Sequence, residues 1–99
     1  MTIHEIKLDR KWFDQVANGT KRVEIRRADR DYQIGDQLVM REYEMTILAD
    51  RYTEREVTVD VTHVLYSIPG LSANYVALSI SNPQVHEPGE SATTEGDSQ

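Results

Sequence analysis

The chain opens on an alternation. Ile3, Glu5, Lys7 and Asp9 interleave with His4, Ile6 and Leu8, the period of two that a strand with one buried face requires. Asp9 then reads as a helix N-cap, its carboxylate placed to accept from the amides at Lys11 or Trp12, and Leu8 is spaced to pack on Phe13 as a hydrophobic staple. Trp12, Phe13, Val16 and Ala17 make one apolar stripe over about two and a half turns. Asn18-Gly19 closes the helix, because glycine accepts the left-handed conformation common just past a helix end. So short a helix must be held by burying Trp12 and Phe13 against a sheet. Alternation resumes at once: Arg22, Glu24 and Arg26 are expected to share one face, with Val23 and Ile25 turned to the core.

Residues 28–36 form a polar loop that ends in a Gly35-Asp36 turn. Residues 37–44 are a third strand, with Leu38 and Met40 on one face and Val39, Arg41 and Tyr43 on the other. Residues 45–55 read as a longer connection, and 55–65 as the clearest strand, with Val57, Val59, Val61, His63 and Leu65 aligned. Thr53-Glu54-Arg55-Glu56 mimics a helix capping box, but the alternation right after it argues for a strand. Residues 67–74, with Pro69-Gly70, are a loop, and 75–81 a final strand. One helix between two strands, then three antiparallel strands, predicts a mainly β domain with one helix (α+β). Its strands curl into a small, partly closed barrel with the helix packed beside it; an open α+β sheet is the alternative.

From Asn82 the chain turns to Pro, Gly, Ser, Thr and Glu with a single Val85, too little apolar surface to offset the entropy of ordering. The expected division is a domain at residues 1–81 and a disordered acidic tail at 82–99. At 99 residues with 38% hydrophobic content one core is all the chain can build, and with no cysteine it rests on packing alone. The absence of cysteine suits a cytoplasmic location. No apolar run approaches the roughly 20 residues of a membrane span, and residues 1–10 do not read as a signal peptide, so no membrane partner is expected. A net charge of −6 argues against nucleic acid, but its distribution changes that picture. Lys21, Arg22, Arg26, Arg27 and Arg30 stand against only Glu24 and Asp29, a basic strip on an acidic body.

That strip holds the candidate chemistry. Arg26 offers a planar fork of donors for a phosphate or a base edge, and Lys21 a mobile point charge. Glu24 could orient the guanidinium, accept from a base amino group, or serve as a general base; an ion-pair network that only stabilises the sheet is the plainer alternative. Arg22, Arg27 and Arg30 could hold a phosphate backbone with Tyr32 as a stacking platform, while Arg41 and Tyr43 extend the cleft from their strand. Asp36 reads as a turn residue, and His63, alone on a valine face, as a buried histidine satisfied by one hydrogen bond. No set of His and acids has metal spacing, so neither a metal nor another cofactor is expected.

The spacing Gly19, Lys21, Glu24, Arg26 resembles the Gly-x-Lys-x-x-Glu-x-Arg signature of the ASCH domain, a branch of the PUA-like superfamily of nucleic-acid-associated β-barrels. His4-Glu5-Ile6-Lys7, the Trp12-Phe13 helix, Asp29-Arg30-Asp31-Tyr32, Gly35-Asp36, Arg41-Glu42-Tyr43 and residues 75–80 are similar, in order, to a small phage and bacterial branch of it. The resemblance implies a PUA-like barrel whose cleft, beside the helix, takes RNA or a modified nucleoside. Lys21, Glu24, Arg26, Arg30, Tyr32, Arg41 and Tyr43 would be its binding residues. Some relatives are amidohydrolases acting on N(4)-acetylcytidine. Their lysine is present as Lys21, while Glu24 stands where they have a threonine, which leaves Lys21 and Glu24 as the catalytic candidates. A phage or host protein-interaction domain is the third reading, and a monomer is the default.

Overall fold

The computed structural model describes residues 1–87. Six elements follow in order: β1 (Ile3–Asp9), α1 (Arg10–Ala17), β2 (Val23–Arg27), β3 (Gln37–Met45), β4 (Asp50–Leu65) and β5 (Tyr75–His86). The strands form one sheet in the order β1-β3-β4-β5-β2, curled into a half-barrel. β1 runs parallel to β3, and the other pairs are antiparallel. The helix therefore carries the chain from one edge of the sheet to the other, and it packs against β1, β3, β4 and β5 on the way. Because the sheet curls, its two edge strands come to face each other across a seam.

The expected helix signals are in place. The Asp9 carboxylate accepts from Lys11 N at 3.0 Å, and Gly19 adopts the left-handed conformation at φ +83°. Phe13 and Val16 are buried with Leu8, Leu38, Met40, Val57, Val59, Val61 and Leu78 in the core. Trp12 is the exception to the expected stripe: it is 41% exposed, and its ring carries Lys11 Nζ 5.4 Å from the centroid.

Three irregularities explain where the strand periodicity misleads. Between β4 and β5 an extra residue enters β4 between Val61 and His63, so the inward sequence Val57, Val59, Val61 passes to Val64, and His63 and Leu65 turn outward. His63 is thus exposed, not a buried core histidine. A second bulge lies on β5 between Ser81 and Gln84, where Asn82 takes φ +56°. It absorbs Pro83, which cannot donate to a regular ladder, and lets pairing resume at Gln84, Val85 and His86. The boundary expected at residue 81 is therefore corrected: residues 82–86 are strand, while the rest of the expected tail from residue 88 lies outside the described residues.

The third irregularity replaces the long connection expected over residues 45–55. β3 and β4 continue as a hairpin that turns at 46–49, closed by Thr46 Oγ1 donating to Ala49 O, with Met45, Ile47 and Leu48 exposed at its tip. Below the tip, β4 bulges opposite Glu42, with Glu54 at φ +79°, so that Thr53 and Arg55 both reach that carboxylate. Glu42 is 2% exposed and takes a two-pronged bond from Arg55, Nε to Oε1 at 2.9 Å and Nη2 to Oε2 at 2.8 Å. Burial pushes this carboxyl up, but the Arg55 and Thr53 hydrogen bonds outweigh it and hold it below the usual range. Arg55 also lies over Phe13, its guanidinium carbon 4.2 Å from the ring centroid, so the pair ties the hairpin to the helix. Replacing Arg55 by Ala would strand a buried carboxylate and is expected to cost about 3–5 kcal/mol, seen as a lower urea midpoint at unchanged slope. A loss under about 1 kcal/mol, the worth of an exposed pair, would show that the bond is dispensable.

Candidate functional site

The seam between β1 and β2 is where the conspicuous charges of the sequence gather. Glu24 pairs with Leu78 and Arg26 with Val76 across the β2–β5 ladder, and directly opposed residues point to the same side of a sheet. Leu78 and Val76 belong to the core, so Glu24 and Arg26 face inward and Val23 and Ile25 outward, the reverse of the expected arrangement. The apolar pair is about half exposed, at 46% and 50%, while Glu24 is 5% exposed. Arg22 does not join its expected neighbours: its Nε donates to Gly19 O at 2.9 Å, beside a separate cavity of about 280 Å³.

The buried Glu24 carboxylate is neutralised from two directions. Lys21 Nζ donates to Oε1 at 2.6 Å and Arg26 Nη1 to Oε2 at 3.2 Å. Lys21 Nζ also donates to Val23 O at 2.6 Å, and Arg26 Nη2 reaches across the seam to Lys7 O on β1 at 2.7 Å. The two cations and the acid thus form the floor of a cleft of about 970 Å³, with Trp12, Val23, Ile25 and Tyr43 on its walls. Lys7 stands at this rim too, its Nζ 5.3 Å from the Tyr43 ring centroid. Both cations keep donors uncommitted among the described residues, so a carbonyl, a base edge or a phosphate entering the cleft would meet fixed donors without displacing the ion pairs.

A family model described as a domain of unknown function (DUF3850) matches residues 3–80, which include the whole seam. The chain belongs to this family. A protein of Escherichia phage P2, described as an uncharacterized 12.9 kDa protein in the GpA 3' region, is 45% identical over 60 residues. That stretch is 61% of this chain but 54% of the phage protein, so the DUF3850 chain spans about half the length of its relative.

Of the other expected site residues, the DUF3850 fold brings some to the seam and not others. Tyr43 lines the main cleft; Arg30 and Tyr32 line a second cavity, about 380 Å³, that adjoins it past Arg26. Tyr32 is only 7% exposed and its ring lies 4.7 Å from that of His4, so it is a core residue showing one edge and not a free stacking platform. Arg41 lines neither space and instead covers Tyr52, its guanidinium carbon 3.8 Å from the ring centroid. Trp12 is the residue that the sequence pattern hid. Its placement in the apolar stripe suggested core, whereas the single tryptophan of the chain stands at the cleft mouth. Among the described residues no group of three or more His, Cys, Asp or Glu is placed to hold a metal ion, and no helix is long and apolar enough to cross a membrane.

Behind the smaller cavity lies a support that reads from sequence as a mere turn. The Asp36 carboxylate is 2% exposed and accepts from His4 Nε2 at 2.8 Å, Thr2 N at 2.9 Å and Gln33 N at 2.9 Å. It fastens the loop bearing Arg30 and Tyr32 to the start of β1. Burial raises its pKa, but the bond from His4 and those from the two amides prevail and bring it down to about 2. The folded value lies below the ordinary 3.8, so this contribution to stability is complete above about pH 4 and is lost as the pH falls through about 2. Asp36→Asn is therefore expected to be less stable than wild type near neutral pH, with the gap in urea midpoint narrowing as pH falls from about 4 to about 2. A gap that stays constant through that range would contradict this role for the carboxylate.

Proposed function

We propose that this DUF3850 domain is a PUA-like module of the ASCH type that binds RNA or a modified nucleoside, with the base held in the seam between β1 and β2. The observation that carries the reading is the buried Glu24 at the cleft floor, bonded to Lys21 and Arg26 beside the exposed ring of Trp12 and the half-buried ring of Tyr43. Nucleobases ask for flat surfaces to stack on and a mixed set of donors and acceptors at their edges, and the cleft offers both. Five of the chain's 11 Lys and Arg lie within residues 21–30 of an otherwise acidic chain, so attraction for phosphate is concentrated there.

The test uses the position of Trp12: its fluorescence should respond when single-stranded RNA or nucleosides are titrated in, with affinity falling as salt rises. Arg26→Ala should weaken binding by about 1–3 kcal/mol, the worth of one forked contact. Trp12→Ala, followed by calorimetry, should cost a similar amount, about 1–3 kcal/mol for one stacked base. Affinity unchanged in both variants would remove the seam as the binding site.

One contact favours a second reading. Lys21 Nζ and Glu24 Oε1 at 2.6 Å are close enough to exchange a proton, as a small amidohydrolase acting on a modified nucleoside would need. Incubation with N(4)-acetylcytidine should then release cytidine, and Lys21→Ala should abolish the release. No turnover by the wild-type protein would leave binding alone.

A further inference from the structure

The main cleft does not end at Arg26. Lys7, Ile25, Arg26 and Arg27 line both it and the cavity of about 380 Å³ beyond, so the two are chambers of one trough with the Arg26 guanidinium on the partition between them. Their chemistry differs. In the larger chamber the central cations are committed to Glu24, and exposed aromatic and aliphatic side chains stand around them. In the smaller, Arg27 and Arg30 are exposed and, among the described residues, have neither a side-chain hydrogen bond nor an ion pair; Asp29 is the one acid in the lining, and half-buried Tyr75 lies beside them. Free guanidinium groups in a concavity are suited to phosphate oxygens, which they can meet in a planar, two-pronged fashion.

We infer that the smaller chamber is a phosphodiester subsite, and that the ligand of the seam is a single-stranded polynucleotide instead of a free nucleoside. This inference rests on the binding function proposed above. One unstacked base occupies the larger chamber over the Glu24 floor; the backbone crosses the Arg26 partition; its phosphate lies against Arg27 and Arg30, with the flanking base near Tyr75. A duplex does not fit this arrangement, because its stacked bases cannot reach a carboxylate that is 5% exposed. The same phosphate chemistry could be offered by a mononucleotide, and the experiment separates the two sources.

Binding to cytidine, cytidine monophosphate, a dinucleotide and a short single-stranded RNA is measured by calorimetry for the wild type and for the Arg27→Ala/Arg30→Ala double variant. Arg22→Ala, equally exposed but outside both chambers, serves as the control. The expected result is that the wild type binds the dinucleotide and RNA more tightly than either monomer. The double variant should lose about tenfold or more on the two strands, and several-fold less on cytidine, whose chamber is lined by Arg27 but not by Arg30. The salt dependence for RNA should also become shallower by about 0.7 for each phosphate that is no longer neutralised. Equal losses for cytidine and RNA, or no loss for RNA, would overturn the subsite while leaving base binding in the larger chamber intact. Wild-type affinity for the monophosphate equal to that for RNA would overturn the strand assignment. No binding of any of the four by the wild type would overturn the proposed function and this inference with it. Both substituted arginines are exposed and, among the described residues, unpaired, so the variant should keep its fold, which its urea midpoint verifies.

Discussion

Among the described residues, one side-chain hydrogen bond crosses between the two edges of this sheet, from the Arg26 guanidinium to the Lys7 carbonyl. Backbone pairing among the described residues ends at β1 on one side and β2 on the other, and no strand ladder between them closes the curl. Arg26 spans the gap, bonded to the Lys7 carbonyl on the far edge and to Glu24 on its own strand. A charged group can occupy that half-buried position only because the carboxylate beside it supplies the opposite charge, and Glu24 in turn tolerates burial because Lys21 takes its second oxygen. A seam held by side chains leaves a trough where a completed ladder would have left none, and both chambers of the candidate site lie along that trough.

Two further polar clusters fix what surrounds it. Glu42 with Arg55 and Thr53 joins the β3–β4 hairpin to the helix, whose Trp12 stands at the cleft mouth. Asp36 with His4 anchors the loop that carries Arg30 and Tyr32. In a domain this small and without disulfides, buried ion pairs are a costly way to gain stability, since apolar replacements of equal shape often do as well. What they supply is direction: each fixes one bulge or loop in one orientation, and so fixes which side chains face the seam.

Much of the architecture was legible because it depends on local pattern. The buried face of β1, the Asp9 cap, the Gly19 terminus and the Leu38–Met40 face follow from spacing and conformational preference alone. The grouping of Glu24 with Arg26 was also visible as alternating charge, but that alternation put Arg22 beside them, whereas it is Lys21 that reaches Glu24 from the turn. The sense of that face was not. Period two says which residues lie together, and only the register against Leu78 and Val76 says that the charged side turns inward. The bulges at Thr62 and at Asn82-Pro83 were equally hidden, since each is set by a partner strand distant in sequence. His63 and the end of β5 were misjudged for that reason. The bond between His4 and Asp36 was not legible because they are 32 positions apart, and nothing local marks either as the other's partner.

The bulge around Asn82 has a practical side. The family match stops at residue 80, and composition alone suggests trimming the chain nearby. Yet Gln84, Val85 and His86 pair with Thr58, Val57 and Glu56, so a shortened version would uncover that length of β4 as a bare edge beside the core valine Val57. Such an edge invites a neighbouring chain to add its own strand. A clipped version would then self-associate for reasons unrelated to any natural partner.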